Sequence, residues 1–238
     1  MSRARYRAAL FDFDDTIFDH QFHRRAGLAA IRDTIPALVN AGVEEIERVH
    51  DLYLQRTHRA LLANELTLPQ ARVRRLRATL SDFGYLASDE EIDAAEAAYR
   101  QAYNRDWRVV PGARELLRRV RELGMAIAIV TNARVAEQEA KLDALGLRSA
   151  VDRMFVSEAV GAAKPERAFF THVLDRLSVS CGECVVMGDL WETDVRGALD
   201  SGIDAIWLNR YKRANPPTPR VAQIASLEPV DEVIRLFY

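Results

Sequence analysis

The sequence predicts an α/β fold, a doubly wound parallel sheet with an inserted helical unit. Short, nearly continuous apolar runs alternate with helical stretches, which is typical of parallel strands buried on both faces. One long segment near the N-terminus interrupts this alternation and shows only helical periodicity. The 238 residues are enough for such a core and a smaller second domain.

Four apolar runs predict the strands: Tyr6–Phe11, Met125–Val130, Cys184–Met187 and Ala205–Leu208. The helices between them begin or end at proline or glycine, and they are Arg114–Leu123, Arg134–Leu145, Glu166–Leu177 and Thr193–Asp200. The proline-rich piece Ala214–Pro219 predicts a surface loop before a last strand and helix.

The interrupting segment runs from Ile17 to about Arg108 and contains no predicted strand. Four helical stretches follow one another in it: Phe22–Val39, Val43–Ala63, Leu68–Phe83 and Asp89–Trp107. Ser88, followed by three acids, is a good N-terminal cap signal for the last of them. A normal crossover needs far fewer residues. We therefore expect residues 1–16 and 109–238 to form the core and residues 17–108 to form a helical insertion.

Composition and charge argue against several classes of partner. The chain has 33 basic and 35 acidic residues, a formal net charge of −2, so it lacks the basic excess of a nucleic-acid or membrane-surface binder. No apolar stretch approaches the roughly 20 residues that span a bilayer. The expectation is a soluble, cytoplasmic protein, monomer or homodimer, that acts on a small molecule.

Four motifs fall at the ends of predicted strands, the edge at which open parallel sheets bind ligands. They are Asp12-Phe13-Asp14, Thr131-Asn132, Lys164-Pro165 and Gly188–Asp194 with its acids Asp189 and Asp194. Each alone has an ordinary explanation, because acids at a loop start are usually solvated and a threonine before a helix is usually a cap. Their combination and order are more informative.

In this order and at these positions, the motifs resemble those of the haloacid dehalogenase-like hydrolase superfamily. That pattern is Asp-x-Asp-x-Thr/Val, then Thr/Ser, then Lys, then Gly-Asp with further acids, and all four parts match between Asp12 and Asp194. The helical insertion is similar to the four-helix cap of that superfamily. The resemblance therefore implies a Rossmann-like core with a cap.

The resemblance also implies a role for each motif residue. Asp12 would attack phosphorus, and Asp14 would protonate the leaving oxygen and later deprotonate water. The remaining assignments are phosphate binding by Thr131, Asn132 and Lys164, magnesium binding by Asp12, Asp189 and the backbone carbonyl of Asp14, and orientation of Lys164 or of metal-bound water by Asp194.

Charge supports a divalent cation at this site. Four ionised aspartates beside one lysine would repel a phosphate dianion, and one like-charge pair at 4 Å costs about 4 kcal/mol at an effective dielectric of 20. A hard cation with oxygen ligands, Mg²⁺, removes two of these charges. The sequence thus predicts a magnesium-dependent phosphatase.

Asp14 separates branches of the superfamily, because a halide leaving group needs no general acid and the dehalogenases lack this aspartate. Flanking sequence, including Tyr6–Asp19 and Gly202–Asn209, is similar to pyrimidine 5′-nucleotidases and N-acylneuraminate-9-phosphatases. Other small-metabolite phosphatases, acting on sugar phosphates or phosphoglycolate, and phosphosugar mutases stay open. A phosphoacceptor receiver domain also places Asp, Thr and Lys at strand ends, but it has no long helical insertion.

Several other residues receive structural interpretations. Cys181 and Cys184 lack two further zinc ligands of suitable spacing, and we interpret them as structural thiols. His20 and His23 are expected on the exposed surface of the insertion rather than at the substrate. The basic run Arg72–Arg77 has helical spacing and is interpreted as a solvated face.

Overall fold

The computed structural model describes residues 5–62, 65–215 and 217–238. The chain divides into two compact units, Met1–Asp19 with Trp107–Tyr238 and His20–Asp106. The buried carboxylate of Asp19 accepts hydrogen bonds from Arg108, at 2.7 and 3.0 Å, and from Arg210 at 2.9 Å. These bonds join Asp19, at the first boundary, to Arg108, at the second boundary, within the first unit. The first unit therefore includes a few more residues at each boundary than the predicted ranges 1–16 and 109–238.

The described residues of the helical unit form four α-helices around an apolar core. They are α1 (His20–Thr34), α2 (Val43–Leu62), α3 (Leu68–Asp82) and α4 (Asp89–Tyr103). Thr67 and Ser88 each form a capping box, with Gln70 and Glu91, so both helices begin where their sequence signals indicate. Leu28, Ile46, Leu76, Leu80 and Ile92 are among the side chains of the core.

Two of these helices end earlier than the sequence predicted. The stretch Phe22–Val39 ends as α-helix at Thr34, because Pro36 forces the preceding residue out of the helical region and a short 3₁₀ turn, Pro36–Leu38, follows. The stretch Asp89–Trp107 ends at Tyr103, and Asp106 adopts a left-handed conformation with φ of 49°. The predicted end of the second stretch, Ala63, lies outside the described residues.

One interpretation of this unit is wrong. His23 is buried rather than exposed, with its ring 6.1 Å from that of Tyr103, and His20 is half-buried with Nδ1 2.8 Å from the Tyr103 hydroxyl. The basic run is solvated in part, because Arg74 is exposed and the side chains of Arg72 and Arg77 are 36% and 39% exposed, whereas Arg75 lines a small cavity. At 3.6 residues per turn such a run cannot face solvent throughout, since some of its members must turn toward the neighbouring helices.

Six parallel strands form the sheet of the first unit, which confirms the predicted fold class. They are β1 (Ala8–Phe11), β2 (Ala126–Thr131), β3 (Arg153–Val156), β4 (Cys184–Gly188), β5 (Asp204–Leu208) and β6 (Val221–Ile224). Their spatial order is β3-β2-β1-β4-β5-β6. Phe11 of central β1 lies opposite Ile129 of β2 and Met187 of β4. The order reverses direction beside β1, so its carboxyl end lies where such sheets bind ligands.

The edge strands carry the weakest sequence signals. Strand β3 was not among the predicted strands, because its four residues begin with an exposed arginine and the run is not continuously apolar. β6 is the last strand expected after the proline-rich loop, and Pro216 of that loop lies outside the described residues. Both strands are only partly buried, which explains why a search for continuous apolar runs favours the four inner strands.

Helices cover the sheet and also bring the predicted motifs together. They are α5 (Ala113–Glu122), α6 (Val135–Ala144), α7 (Ser157–Val160), α8 (Arg167–Leu177), α9 (Arg196–Asp200) and α10 (Val230–Val233). Gly197 of α9 approaches the turn that carries Lys164, because a Cβ at this glycine would lie 2.8 Å from Cα of Pro165. That distance is too short for a side chain, so glycine allows the third and fourth motifs to pack against each other.

Two further expectations concern thiols and membranes. Cys181 is exposed, Cys184 is buried, and both are free thiols. Among the described residues, none of the helices combines the length and apolar character that a bilayer crossing requires.

Candidate active site

The central strand β1 ends directly at Asp12. The backbone N–H of Asp12 donates to the carbonyl of Met187 at 2.8 Å, so the residue continues the pairing with β4 and its backbone is fixed. Its side chain is buried, as is that of Thr131, the last residue of β2. The first two motifs therefore lie side by side at the carboxyl edge of the sheet.

Lys164 connects the first and fourth motifs. Its Nζ donates to Oδ1 of Asp12 at 2.6 Å and to Oδ1 of Asp194 at 2.7 Å, and all three side chains are buried. Burial alone would lower the pKa of Lys164, but the charges of Asp12 and Asp194 outweigh burial and raise it. The ammonium is therefore held charged at the end of β1.

Asn132 fixes the backbone of Lys164. Its Nδ2 donates to the carbonyl oxygen of Lys164 at 2.7 Å, and its Oδ1 accepts from the backbone N–H of Lys164 at 2.9 Å. The side-chain amide is thus used within the protein. The phosphate binding predicted at Asn132 would therefore use its backbone N–H as the donor.

The fourth motif forms a tight turn after β4. Residues Trp191–Val195 make one wide, π-helical turn, a geometry often found at functional sites. A Cβ on Gly188 would lie 2.4 Å from Cβ of Asp194, so only glycine lets the acid fold back over the strand end. Oδ2 of Asp194 accepts from the N–H of Leu190 at 3.0 Å, which leaves Oδ1 for Lys164.

Asp189 lies in the same turn and is also buried. Its carbonyl oxygen accepts from Nε1 of Trp207 at 3.0 Å and from Nη1 of Arg213 at 3.3 Å. Nη1 of Arg213 is 3.6 Å from Oδ2 of Asp189. The backbone of Asp189 is therefore held by β5 and by the loop that follows it.

Asp12, Asp189 and Asp194 fit a hard divalent cation. One carboxylate oxygen from each lies within 4.8 Å of the others, and the three acids have two cationic neighbours, buried Lys164 and the partly exposed Arg213. Burial, opposed by Lys164, raises the pKa of Asp12 to about 7. Burial and the charges of Asp12 and Asp194 raise the pKa of Asp189 to about 9. Buried carboxylates in such excess need a further positive charge, and oxygen donors are the ligands that Mg²⁺ prefers.

Asp14 has different neighbours from Asp12, although only one residue separates them. Its Oδ1 accepts from Nζ of Lys141 at 2.8 Å, and its Oδ2 accepts from Nε2 of Gln138 at 2.9 Å. Lys141 and Gln138 both belong to α6. Burial alone would lower the pKa of Lys141, but the charges of Asp14 and Glu137 outweigh burial and raise it.

The structure thus brings Asp12, Lys164, Asp189 and Asp194 into one cluster. Asp14 lies in the loop after β1 and is bound by two side chains of α6. Lys141 and Gln138 were not among the site residues predicted from the sequence. A signal was available, because Glu137, Gln138 and Lys141 are spaced three and four apart on the helix that follows the second motif. A charged pair at that spacing is common on solvated helices, so the signal becomes meaningful only when Lys141 is seen to be buried.

Comparison with known protein families gives a match over most of the chain. The family model for haloacid dehalogenase-like hydrolases matches residues 6–202. The chain belongs to the haloacid dehalogenase-like hydrolase family. It is therefore a hydrolase, and the family resemblance found in the sequence is confirmed.

A HAD-hydrolase from Bacillus subtilis (strain 168), YfnB, matches this hydrolase along most of both chains. The two are 29% identical over 217 residues, which cover 90% of this chain and 88% of YfnB. The crystal structure of YfnB bound to magnesium superposes with a TM-score of 0.76 at 28% identity, covering 97% of this chain and 99% of the other.

Two phosphatases of known substrate match about half of the chain. Pyrimidine 5′-nucleotidase YjjG from Escherichia coli (strain K12) is 36% identical over 124 residues, 50% of this chain and 55% of YjjG. N-acylneuraminate-9-phosphatase from Mus musculus is 31% identical over 106 residues, 43% of each chain. Relatives of this hydrolase thus include both groups that its flanking sequence resembles.

Proposed function

We propose that this hydrolase is a magnesium-dependent phosphatase that cleaves a small phosphomonoester through an aspartyl-phosphate on Asp12. The observation that carries the proposal is the buried cluster at the end of β1, where Lys164 bonds both Asp12 and Asp194 and Asp189 lies nearby. A nucleophilic carboxylate, a fixed ammonium and an excess of buried acids are the components that phosphoryl transfer through an aspartate requires.

In the first step an oxygen of Asp12 attacks phosphorus, and the bond from phosphorus to the leaving oxygen breaks. Asp14 gives its proton to that oxygen, so the alcohol leaves neutral. Asp14 then takes a proton from water, whose oxygen attacks phosphorus and releases inorganic phosphate and free Asp12. Lys164, the hydroxyl of Thr131 and the N–H of Asn132 hold the phosphoryl oxygens.

Magnesium would be held by the carboxylates of Asp12 and Asp189 with the backbone carbonyl of Asp14. When bound, it offsets the negative charge of the acids and of the phosphoryl group. Asp194 orients Lys164, consistent with the 2.7 Å contact between Oδ1 of Asp194 and Nζ of Lys164. The family resemblance assigns residues 17–108 the role of a cap that selects the substrate.

Among small phosphomonoesters we propose pyrimidine nucleoside 5′-monophosphates. The similarity to YjjG supports this choice, and so does the near-neutral charge of the chain, which suits a small substrate better than a polyanion. Asp14 supports phosphate over haloacid, because only an alkoxide leaving group requires a proton.

The test is phosphate release from uridine and thymidine monophosphates, N-acylneuraminate 9-phosphate, a hexose phosphate, phosphoglycolate and a phosphopeptide, all with magnesium. Asp12→Asn should lose activity by about 10⁴-fold or more while folding normally, because the amide is not a nucleophile. Near-normal turnover by that variant would refute the mechanism. A best rate on phosphoglycolate would refute only the choice of substrate, and phosphoryl transfer within a sugar phosphate without phosphate release would indicate a mutase.

A further inference from the structure

Lys141 is one of the most deeply buried charged residues of the first unit. Its side chain is 1% exposed, and its Nζ lies 2.8 Å from Asp14, 3.2 Å from Glu137 and 4.9 Å from the ring centre of Phe18. A surface ion pair would leave such an ammonium in water, where it is well solvated. Burial of this lysine against Asp14 therefore points to a requirement at Asp14 itself.

Gln138 completes the same arrangement. Its side chain is fully buried, and its Nε2 lies 2.9 Å from Oδ2 of Asp14 and 3.2 Å from Oγ1 of Thr131. Both carboxylate oxygens of Asp14 thus accept a hydrogen bond from α6. Through Gln138, the same helix joins Asp14 to the hydroxyl of Thr131.

We propose that Lys141 and Gln138 are positioning residues that fix the carboxyl group of Asp14 for its two proton transfers. The proposal rests on the phosphatase function proposed above. An aspartate side chain with one fixed oxygen can still rotate, whereas two donors on one helix define both its position and its plane. A displacement of about 1 Å in a reacting group can reduce a rate about 100-fold.

A purely structural ion pair would behave differently. It would hold α6 against the loop after β1, and its loss would reduce the rate of leaving-group release equally for every substrate. A positioning role acts only on steps in which Asp14 moves a proton. Release of a nitrophenolate ion needs no proton, whereas release of the 5′-alkoxide of a nucleotide does.

The experiment measures release of the leaving group in the first turnover, before the steady state, at saturating substrate and with magnesium present. Wild type is compared with Lys141→Met, with p-nitrophenyl phosphate and uridine 5′-monophosphate as the two substrates. Gln138→Met is a second variant that keeps the length of the side chain and removes no charge. Arg148→Met is the matched control, because it removes an exposed ion pair with Asp143 from the end of the same helix.

For Lys141→Met we expect uridine release to fall by about 30-fold or more, while nitrophenolate release stays within about threefold of wild type. Steady-state turnover of p-nitrophenyl phosphate should then be limited by hydrolysis of the aspartyl-phosphate, which appears as a burst of nitrophenolate. Gln138→Met should show the same selectivity with a loss of about fivefold or more. Arg148→Met should change neither rate.

Equal loss on both substrates, or no loss on either, would overturn the proposal. Thermal unfolding of each variant shows whether it is folded, and Gln138→Met carries the test if Lys141→Met does not fold. The proposed function itself fails in a different way. In that case the wild type releases no leaving group, or Asp12→Asn remains active, and the positioning role falls with it.

Discussion

The first unit and the helical unit both bury carboxylates, but the charges around those carboxylates are opposite. At the end of β1, three buried acids have two cationic neighbours, Lys164 beside Asp12 and Asp194 and the partly exposed Arg213 at 3.6 Å from Asp189. Burial raises the pKa values of Asp12 and Asp189 to about 7 and about 9. In the helical unit, Glu47 accepts hydrogen bonds from Arg24 at 2.6 Å and from Arg25 at 2.8 Å. Burial would raise the pKa of Glu47, but the arginines outweigh burial and lower it.

The difference separates a structural charge cluster from a functional one. Around Glu47 every negative charge has a positive partner, so the cluster is complete as the chain folds. At the end of β1 the compensation is incomplete, and a divalent cation would complete it. Buried acids with strongly raised pKa values and too few cationic partners are typical of catalytic sites. The predictions below test this contrast.

The largest expected effect is the loss of activity on removal of magnesium. Excess EDTA should reduce phosphate release by about 10³-fold, since one uncompensated like-charge pair corresponds to about that factor. Magnesium should restore activity and raise the melting temperature of the wild type, because it binds the folded state. Glu47→Gln should keep this response and Asp189→Asn should lose it. Full turnover in EDTA would remove the contrast between the two clusters.

The second effect is a pH dependence of stability in the metal-free protein. A carboxyl whose pKa is raised on folding is neutral at acid pH, where it does not reduce the free energy of unfolding. As pH rises from about 4 to its folded pKa, it lowers the free energy of unfolding progressively. For Asp12 and Asp189 this window runs from about 4 to about 7 and 9. The lowered pKa of Glu47 makes stability depend on pH only at acid pH. Its stabilising contribution is complete above the ordinary pKa of 4.5 and is lost as pH falls below that value.

Urea unfolding in EDTA should therefore show a free energy of unfolding that falls by about 2 kcal/mol or more between pH 5 and pH 8. Saturating magnesium should flatten the profile, since the cation favours the ionised carboxylates. A metal-free profile that is flat over this range would show that the acids at the end of β1 are already compensated.

The smallest effect is the change in stability caused by neutral substitutions in the two clusters. In EDTA at pH 8, Asp189→Asn should raise the free energy of unfolding by about 1 kcal/mol or more, because the carboxyl of Asp189, with a pKa raised to about 9, must take up a proton on folding at this pH and the amide need not. Glu47→Gln should lower it by about 2 kcal/mol, because Arg24 and Arg25 lose their shared anion. Both changes can be read from urea unfolding midpoints. Destabilisation by Asp189→Asn would mean that Asp189 is as well paired as Glu47.

The parts of the structure that the sequence predicted have strong local signals. The inner strands β1, β2, β4 and β5 are continuous apolar runs, and the start of α4 has a capping box at Ser88. The motif positions follow from those strands, because parallel strands end at one edge of the sheet. The predicted roles of Asp12, Thr131, Lys164, Asp189 and Asp194 remain predictions that the geometry supports.

The parts that were missed depend on tertiary contacts. Nothing local distinguishes buried Lys141 from the exposed basic residues of other helices until α6 packs beside Asp14. His23 likewise looks like a polar surface residue, yet in the folded unit it is buried, with its ring 5.2 Å from that of Phe22 and 6.1 Å from that of Tyr103. The side-chain amide of Asn132 could not be assigned to the Lys164 backbone, because 32 residues separate the two.

The central place of β1 in the sheet also has a consequence for biosynthesis. The strand that carries Asp12 is the first to be made, yet its neighbours are β2 and β4. At about 5–20 residues per second, the interval between synthesis of Phe11 and of Cys184 is on the order of 10–35 s. The helical unit is complete in sequence before either neighbour exists, so it can fold while β1 still lacks a partner. Translation speed between Phe11 and Gly188 therefore sets how long the apolar strand Ala8–Phe11 is exposed to chaperones and to other nascent chains.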